Sequence, residues 1–367
     1  MVNKEILSLR FLLVTFFVLL ATMIFAGLYP FNFLPPNRVQ WVQNEPGLYF
    51  DGAGIAYTNR EESISLKKAV SVELLLKERR GSKNWGPKEI FSFYDGAASP
   101  SLLVGQWDGR IFIYSRYEKN EGHEYYRLFR TKDRFLKGKS HLVTVTFDKG
   151  EKAIYIDGQL SNRRYVELND RVQIQFSGVF LLGNSPRGKH GWRGEIKGLA
   201  VYNRTLKSDE IVKHSREVIQ KGMSVLVKKP GCIVLYPFNE GEGNIAKSIL
   251  SKHRPFFIPV SKNDLGMTIF NLPHKDMRFF GYSRPDLLKN IVFFVPFGIV
   301  LSMIIVKKYT TNYFVAFLIV TLGGALLSCV IEGFQVYLPA RVPGIADIFG
   351  NTLGSVFGML VTFIILK

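Results

Sequence analysis

Cysteine and histidine are scarce in this chain, which has 2 cysteines and 6 histidines among 367 residues. Cys232 lies in a mixed central region and Cys329 lies in an apolar run, so we do not expect them to pair. No C-x-x-C motif is present, and the histidines do not show metal-ligand spacing. These absences argue against a disulfide-stapled domain and against a zinc site. The length alone predicts two or three domains.

Charge is missing from a run of about eighteen residues, 11–28, which is long enough to cross a bilayer. Lys4 and Arg10 precede the run, and the aromatic segment 29–33 follows it, as is typical of a membrane interface. A cleaved signal peptide is the alternative, but its apolar part is usually shorter and ends in a small-x-small site. We therefore favour an uncleaved membrane anchor over residues 1–34.

The C-terminal segment 286–367 contains three more apolar runs, which we expect to span the membrane at about 287–306, 312–332 and 346–366. With four spans, the basic residues Lys4, Arg10, Lys307, Lys308 and Lys367 all fall on one side. The positive-inside rule places that side, and both termini, in the cytoplasm. This predicts a multi-pass protein of the plasma (inner) membrane, with a large extracytoplasmic domain at 35–260 and a linker at 261–285.

Polar residues occur in these runs in pairs at helical spacing, so each pair projects from one helix face. If the spans alternate in direction, all the pairs meet near the outer membrane face, with Arg341 as a counter-charge. Ionisable groups in a span are costly and usually functional, so we expect one ligand-binding cluster. The alternative is that they cap helix ends at the headgroup level. The set comprises Asp286, Asn290, Glu332, Gln335, Arg341, Asp347 and Asn351.

The central region reads as short strands separated by turn signals, a pattern that predicts a β-sandwich. Strands are expected at 69–76, 89–94, 142–147, 153–156, 178–183 and 194–202, with a hairpin turn at Asp157 and Gly158. Ser208 is expected to cap a helix. Most of the net charge of +18 falls in this region. Anionic lipid and acidic envelope polymers are therefore expected neighbours rather than nucleic acid, unless the charge is a generic solvated surface.

Five blocks of the central region, at 48–52, 141–148, 154–158, 181–184 and 192–202, resemble the laminin G-like, concanavalin A-like jelly roll. The resemblance covers roughly residues 45–250. It implies a fold that hosts lectins, adhesion modules and glycanases. A Tyr-x-Phe-Asn-Glu-Gly block that usually opens such domains stands last here, at 236–241. We therefore hypothesise a circular permutation, which would place the two domain ends side by side.

The Glu-x-Asp-x-x-Glu strand of glucanases with this fold is absent, so binding is a better interpretation than glycoside hydrolysis. Trp85 and Trp107 are candidates for stacking on sugar faces, although ordinary packing is the favoured explanation for both. The resemblance also suggests Asp51 and Asn184 as calcium ligands. Hydrogen bonding within turns is the alternative for both, and no cofactor is otherwise expected.

The apolar segments resemble the VanZ family through residues 29–33, the motif Asp286-x-x-x-Asn290, Glu332-x-x-Gln335, Arg341, Asp347 and Asn351. That resemblance covers residues 8–33 and 280–367 and implies an envelope setting and an effect on glycopeptide antibiotic tolerance. The jelly roll is then an insertion between the first and second spans.

These observations predict a multi-domain membrane protein, with a four-helix transmembrane bundle and an all-β jelly-roll sandwich outside the membrane. We expect the sandwich to bind an envelope or surface glycan and the polar cluster to hold a lipid-linked or glycan headgroup. One alternative is an enzyme acting on lipid-linked precursors, with Glu332 or Asp347 as its base, although no nucleophile is evident. The other is a scaffold held by internal ion pairs. The oligomeric state stays open.

Overall fold

The computed structural model divides the chain into two compact units. The membrane unit combines Met1–Pro35 with Gly266–Lys367, and the sandwich comprises Pro36–Leu265. The structure describes residues 8–33, 35–59, 64–67, 69–79, 86–95, 100–115, 129–134, 138–148, 150–165, 175–186, 188, 190–251, 254–261, 284–309, 312–338, 341 and 344–366.

The described part of the membrane unit contains four helices that are long and apolar enough to cross a membrane. This confirms the four helical segments predicted from the sequence. The first helix begins where the Ser8 hydroxyl accepts a hydrogen bond from the Phe11 amide, at 3.2 Å. The helices are α1 (Leu9–Leu28), α3 (Arg284–Lys308), α4 (Tyr313–Gln335) and α5 (Ile345–Leu366).

Helices α3 and α5 approach each other closely because glycines on α5 face the α3 backbone. A side chain at Gly354 or Gly358 would overlap the carbonyl oxygens of Ile291 and Val295. Small residues at four-residue spacing allow this contact between membrane helices. The absence of side chains at these glycines therefore allows the two helix backbones to approach closely.

The sandwich has two antiparallel sheets. The first has the order β1 (Val39–Trp41), β2 (Leu48–Asp51), β14 (Arg193–Tyr202), β5 (Ala69–Glu78), β10 (Ser140–Asp148), β11 (Glu151–Ile156), β12 (Gln159–Tyr165), with β15 (Cys232–Tyr236) also paired to β14. The second has the order β16 (Ile245–Ala246), β17 (Phe256–Phe257), β3 (Ala56–Thr58), β13 (Gln175–Leu182), β6 (Lys88–Tyr94), β7 (Leu102–Trp107), β8 (Arg110–Ser115), β9 (Phe129–Arg130), with β4 (Ile64–Lys67) paired to β13.

The main core lies between these two sheets. Alternate residues of β10, such as Val143 and Val145, meet Phe91 and Phe93 of β6 there. Successive side chains of a strand point to opposite faces, so each strand contributes every second residue. The strands predicted from β-branched and aromatic content are all present, with ends that differ by at most three residues.

The hairpin between β11 and β12 turns at Asp157 and Gly158, whose φ angles are 51° and 84°. Two successive residues with positive φ are what a two-residue hairpin loop requires. The Asp157 carboxylate also accepts a hydrogen bond from the Leu142 amide at 2.8 Å and contacts His141 Nδ1 at 2.6 Å. The predicted turn is confirmed.

Helix α2 (Ser208–Lys221) packs on the outer face of the first sheet, over a second apolar cluster that includes Leu142, Tyr202 and Ile211. The expectation that Ser208 caps this helix is wrong. Ser208 is its first helical residue, and Lys207 occupies the cap position. Instead, the Glu210 carboxylate accepts a hydrogen bond from the Lys207 amide at 2.9 Å, so the amide at the cap position has a partner.

The two ends of the sandwich lie side by side, as expected for a domain inserted within another. Pro36 and Ser261 form an antiparallel β-bridge, and the Asn37 amide donates to the Val260 carbonyl at 2.9 Å. The late strand β15 also pairs with the same strand, β14, as the early strand β2. The chain therefore enters and leaves the sandwich at one place.

Candidate functional site

The polar residues of the membrane unit meet where α3 and α5 begin. Asn290 of α3 donates a hydrogen bond from Nδ2 to Oδ1 of Asp347, in the first turn of α5. Both side chains are half-buried. Asp286 is also part of α3, but its side chain lies outside the described residues. The predicted polar pairs on α3 and α5 thus come together at Asn290 and Asp347.

Glu332 contributes a carboxylate from the last turn of α4. Its side chain is 3% exposed, and Oε2 accepts a hydrogen bond from the Gly344 amide, just before α5, at 2.8 Å. Asp347 and Arg341 both lie close enough to act on Glu332 electrostatically. Among the described side chains, two carboxylates from different helices therefore lie at one end of the bundle near the Arg341 guanidinium.

Arg341 and Gln335 donate hydrogen bonds to the C-terminal end of α1. Arg341 donates from Nε to the Tyr29 carbonyl at 3.1 Å and from Nη2 to the Ala26 carbonyl at 2.7 Å. Gln335 donates from Nε2 to the Gly27 carbonyl at 2.9 Å. The last carbonyl groups of a helix have no hydrogen-bond donor within the helix, and these side chains supply one.

Asn351 lies one turn further along α5 and links that helix to α4. Its Nδ2 donates to the Ser328 hydroxyl at 2.9 Å, and both residues are buried. Beyond it, Ser302 donates to the Thr362 hydroxyl at 2.7 Å, between α3 and α5. Asn351, one of the predicted site residues, thus joins α5 to α4 one helical turn away from Asp347.

In the sandwich, Trp107 ends β7 and is half-buried beside the turn at Asp108 and Gly109. Asp108 is held by Arg110 at 3.1 Å and by Arg134 at 2.9 Å, which fixes that turn. Trp85, the other candidate sugar-stacking residue, lies outside the described residues.

Asp51 and Asn184, the calcium candidates, both make hydrogen bonds to loop backbone. Asp51 accepts from the Ala53 amide at 2.8 Å. Asn184 accepts from the Ser185 and His190 amides at 2.9 and 3.2 Å and donates to the Ala53 carbonyl at 3.4 Å. Among the described residues, no group of three or more His, Cys, Asp or Glu side chains could hold a metal ion.

The pKa values of two sandwich carboxyl groups, Glu89 and Glu210, are shifted in opposite directions. Burial raises the pKa of Glu89, at the start of β6, to about 7. Glu210 instead forms a two-bond ion pair with Arg204, at 2.7 and 2.8 Å. These hydrogen bonds lower its pKa to about 2.

A cleft opens at the β16 edge of the second sheet, with a volume of about 390 Å³. Side chains of β3 and β17 form part of its wall, and the rest comes from the loops next to them. The lining residues are Tyr57, Asn59, Asn244, Phe257, Ile258, Pro259 and Val260.

Two family models match this chain. The model described as VanZ/LLP1 matches residues 216–366, and the model of the concanavalin A-like lectin/glucanases superfamily matches residues 51–212. The chain therefore contains a VanZ-like region and a laminin G-like, concanavalin A-like domain. The VanZ match begins within α2 and so includes β15 to β17 of the sandwich, whereas α1 lies outside it.

Solved structures with a similar sandwich share little sequence with this chain. A Bacteroides ovatus protein assigned to carbohydrate binding has a TM-score of 0.41 at 14% identity; the match covers 58% of this chain and 57% of that one. A Limulus polyphemus SAP-like pentraxin has a TM-score of 0.39 at 12% identity, covering 58% and 95%. Domain 4 of the Geobacillus stearothermophilus arabinanase AbnA has a TM-score of 0.35 at 15% identity; the match covers 48% of this chain and 84% of that one.

This chain therefore spans little more than half the length of the Bacteroides protein. The comparison with curated proteins found no match.

The cleft was not predicted from the sequence. Tyr57 and Phe257 come from opposite ends of the inserted domain and become neighbours only because β17 pairs with β3. The one available signal was the late Tyr-x-Phe-Asn-Glu-Gly block, since it pointed to a C-terminal segment that returns to the N-terminal strands.

Proposed function

We propose that this protein is an integral membrane protein of the cell envelope. In this proposal its sandwich binds a glycan outside the membrane, and its helical bundle holds a lipid-linked or glycan headgroup. The observation that carries the second part is the placement of Glu332 and Asp347 at one end of the bundle. Carboxylates in a membrane span are costly to bury, so a pair of them at one place favours a functional site.

The orientation in this proposal follows from the basic residues. Lys307 and Lys308 end α3, at the opposite end from Asn290. The positive-inside rule places them in the cytoplasm, together with Lys4 and with Arg10 in the first turn of α1. The carboxylates and the sandwich then belong to the extracytoplasmic side of the plasma membrane.

Within the cluster we assign ligand binding to Glu332, Asp347 and Asn290. Their oxygens and amide suit the hydroxyl and amide groups of a sugar headgroup, because carboxylates accept and an amide does both. Asp286 joins them in the proposal, since it precedes Asn290 by one helical turn. Arg341, Gln335 and Asn351 are positioning residues, because their described hydrogen bonds join helices to one another.

A second candidate, the scaffold, is favoured by those same three residues. If the whole cluster serves only to join helices, substitution of either carboxylate lowers the amount of folded protein. If it binds a ligand, substitution with the matching amide removes the ligand and leaves the fold intact.

Native mass spectrometry of the full chain in mild detergent separates these two candidates. The variants are Glu332→Gln and Asp347→Asn, with Ser302→Ala as the matched control, because Ser302 makes its hydrogen bond near the other end of the same helices. We expect a lipid-linked adduct on the wild type and on Ser302→Ala, and its loss from the two amide variants at equal yield. No adduct on the wild type, with reduced yield of the amide variants, would instead support the scaffold.

A further inference from the structure

We propose that the cleft at the β16 edge of the second sheet binds neutral sugar units. This inference rests on the proposed glycan-binding function and names the site and the chemical class of its ligand. Trp107, one of the two residues suggested by the sequence, is not among the described residues that line this cleft.

The position of the aromatic side chains in the cleft follows from the strand register. Phe257 of β17 pairs directly with Tyr57 of β3, so their side chains project from the same sheet face. Their neighbours Ala56 and Phe256 are fully buried in the core. Because side chains alternate along a strand, Tyr57 and Phe257 point away from that core, and both are half-buried.

The cleft is the open edge of a face that is otherwise covered. Next to Tyr57 on this face lies Leu181, which is packed under Ile55 together with Val179. Ile55 is fixed there by Asn37, whose side chain makes two hydrogen bonds of 2.8 Å to its backbone. The loop through Ile55 thus closes the neighbouring part of the face and leaves the Tyr57 and Phe257 side accessible.

The loop that carries Asn244 is held in place by hydrogen bonds to its backbone. The Asn244 carbonyl accepts from the Ile258 amide at 2.8 Å, and the carbonyl of the preceding Gly243 accepts from Trp41 Nε1 at 2.7 Å. The side chains of Asn244 and of Asn59 are exposed. The cleft therefore presents two amide side chains, and the backbone that carries Asn244 is held by hydrogen bonds.

The chemistry of the lining selects a neutral, hydroxyl-rich ligand. Flat aromatic side chains provide apolar contact area with a polar tip on tyrosine. Each asparagine amide offers both donors and acceptors, as paired sugar hydroxyls require. Of the described residues that line the cleft, none carries a charge. Its volume falls near the lower end of the range of small-molecule sites, roughly 300 to 1,000 Å³, so we infer a short stretch of glycan.

The test measures binding of chitotetraose, maltotetraose, xylotetraose and galactotetraose to the full chain in lipid nanodiscs by isothermal titration calorimetry. Three variants alter the cleft in different ways. Phe257→Ala removes an aromatic face, Asn244→Ala removes an amide, and Val260→Trp adds bulk at a side chain that is 83% exposed. Val260→Trp removes no core contact, so it keeps the test valid if Phe257→Ala does not fold.

Tyr165→Ala is the matched control, because Tyr165 is an exposed aromatic residue on β12 of the other sheet. We expect one of the saccharides to bind the wild type and this control equally. Affinity should fall about tenfold in Phe257→Ala and about fivefold in Asn244→Ala, the sizes expected for one aromatic contact and one hydrogen bond. Binding to Val260→Trp should be lost.

Unchanged binding in all three cleft variants would overturn the cleft as the site and leave glycan binding intact. Trp107→Ala, measured alongside, would then locate the site if it loses affinity. Absence of binding of every saccharide to the wild type would overturn the glycan-binding function and the cleft assignment with it.

Discussion

Arg341 donates a hydrogen bond from Nη2 to the carbonyl oxygen of Ala26, at 2.7 Å. One residue belongs to the short connection between α4 and α5, and the other belongs to the last turn of α1. This contact joins the first helix of the membrane unit to a loop near the end of the chain. It also satisfies a carbonyl that the helix itself leaves unpaired.

Removal of this guanidinium should destabilise the membrane unit. Arg341→Ala loses hydrogen bonds from a charged donor, so we expect a loss of about 1.5 to 3 kcal/mol in the free energy of unfolding. The measurement is thermal unfolding of the full chain in detergent. Arg10→Ala, at the exposed opposite end of α1, is the control and should unfold like the wild type. Equal melting temperatures for both variants would contradict the anchoring role.

The contact between α3 and α5 should not tolerate a side chain at its glycines. Gly354→Ala places a methyl group against the Ile291 carbonyl, and overpacking of this kind costs about 1 to 3 kcal/mol. The matched control is Gly333→Ala on α4, where an added methyl group meets nothing within 4 Å. We expect a reduced melting temperature in detergent for the first variant alone. A similar fall in melting temperature for both variants would indicate that the contact between α3 and α5 is not the cause.

Glu89 should make the sandwich less stable as the pH rises. Its pKa is raised from 4.5 to about 7 by burial, so between these values the folded state binds more protons than the unfolded state. Stability then falls with increasing pH, by about 3 kcal/mol in total. Glu89→Gln should remove this loss, so the variant should be more stable than the wild type at pH 8 and similar at pH 4.

The check is the unfolding transition of the sandwich at several pH values in the full chain. The control is Glu242→Gln, because Glu242 is exposed and its substitution should leave the pH profile unchanged. If the stability of the Glu89→Gln variant depended on pH in the same way as that of the wild type, the Glu89 carboxyl would not be the cause of this dependence.

The ion pair between Glu210 and Arg204 should stabilise the attachment of α2 at neutral pH. The Glu210 pKa is lowered to about 2, so its contribution is present above pH 4.5 and is lost as the pH falls towards 2. The pair is partly exposed, and solvent screening limits its effect to about 1 kcal/mol. Glu210→Gln should lower the melting temperature at pH 7, and the difference should shrink at pH 3, measured by circular dichroism. A difference that grows on acidification would contradict this assignment.

Local patterns predicted the parts of the structure that depend on neighbouring residues. The helix near Glu332 followed from an apolar run, and the turn at Asp157 followed from its glycine. The start of α2 was misplaced by one residue, because Glu210 reaches back to the Lys207 amide and replaces a serine cap. A Ser208 cap would accept from an amide two or three residues further on, whereas Glu210 accepts from the Lys207 amide, and the sequence offered no means of choosing between these two helix starts.

The sequence by itself determined the two kinds of unit in this protein. A run of apolar residues long enough for a bilayer favours a helix, because a helix pairs its backbone N–H and C=O groups within the run. Alternating apolar and polar residues specify a strand with one buried face. The tertiary structure decided how the polar side chains are used. Arg341 was expected to face a ligand, yet its described hydrogen bonds go to α1, and Tyr57 meets Phe257 at a cleft. Both depend on pairings between distant segments, which are set by helix packing and strand register rather than by local spacing.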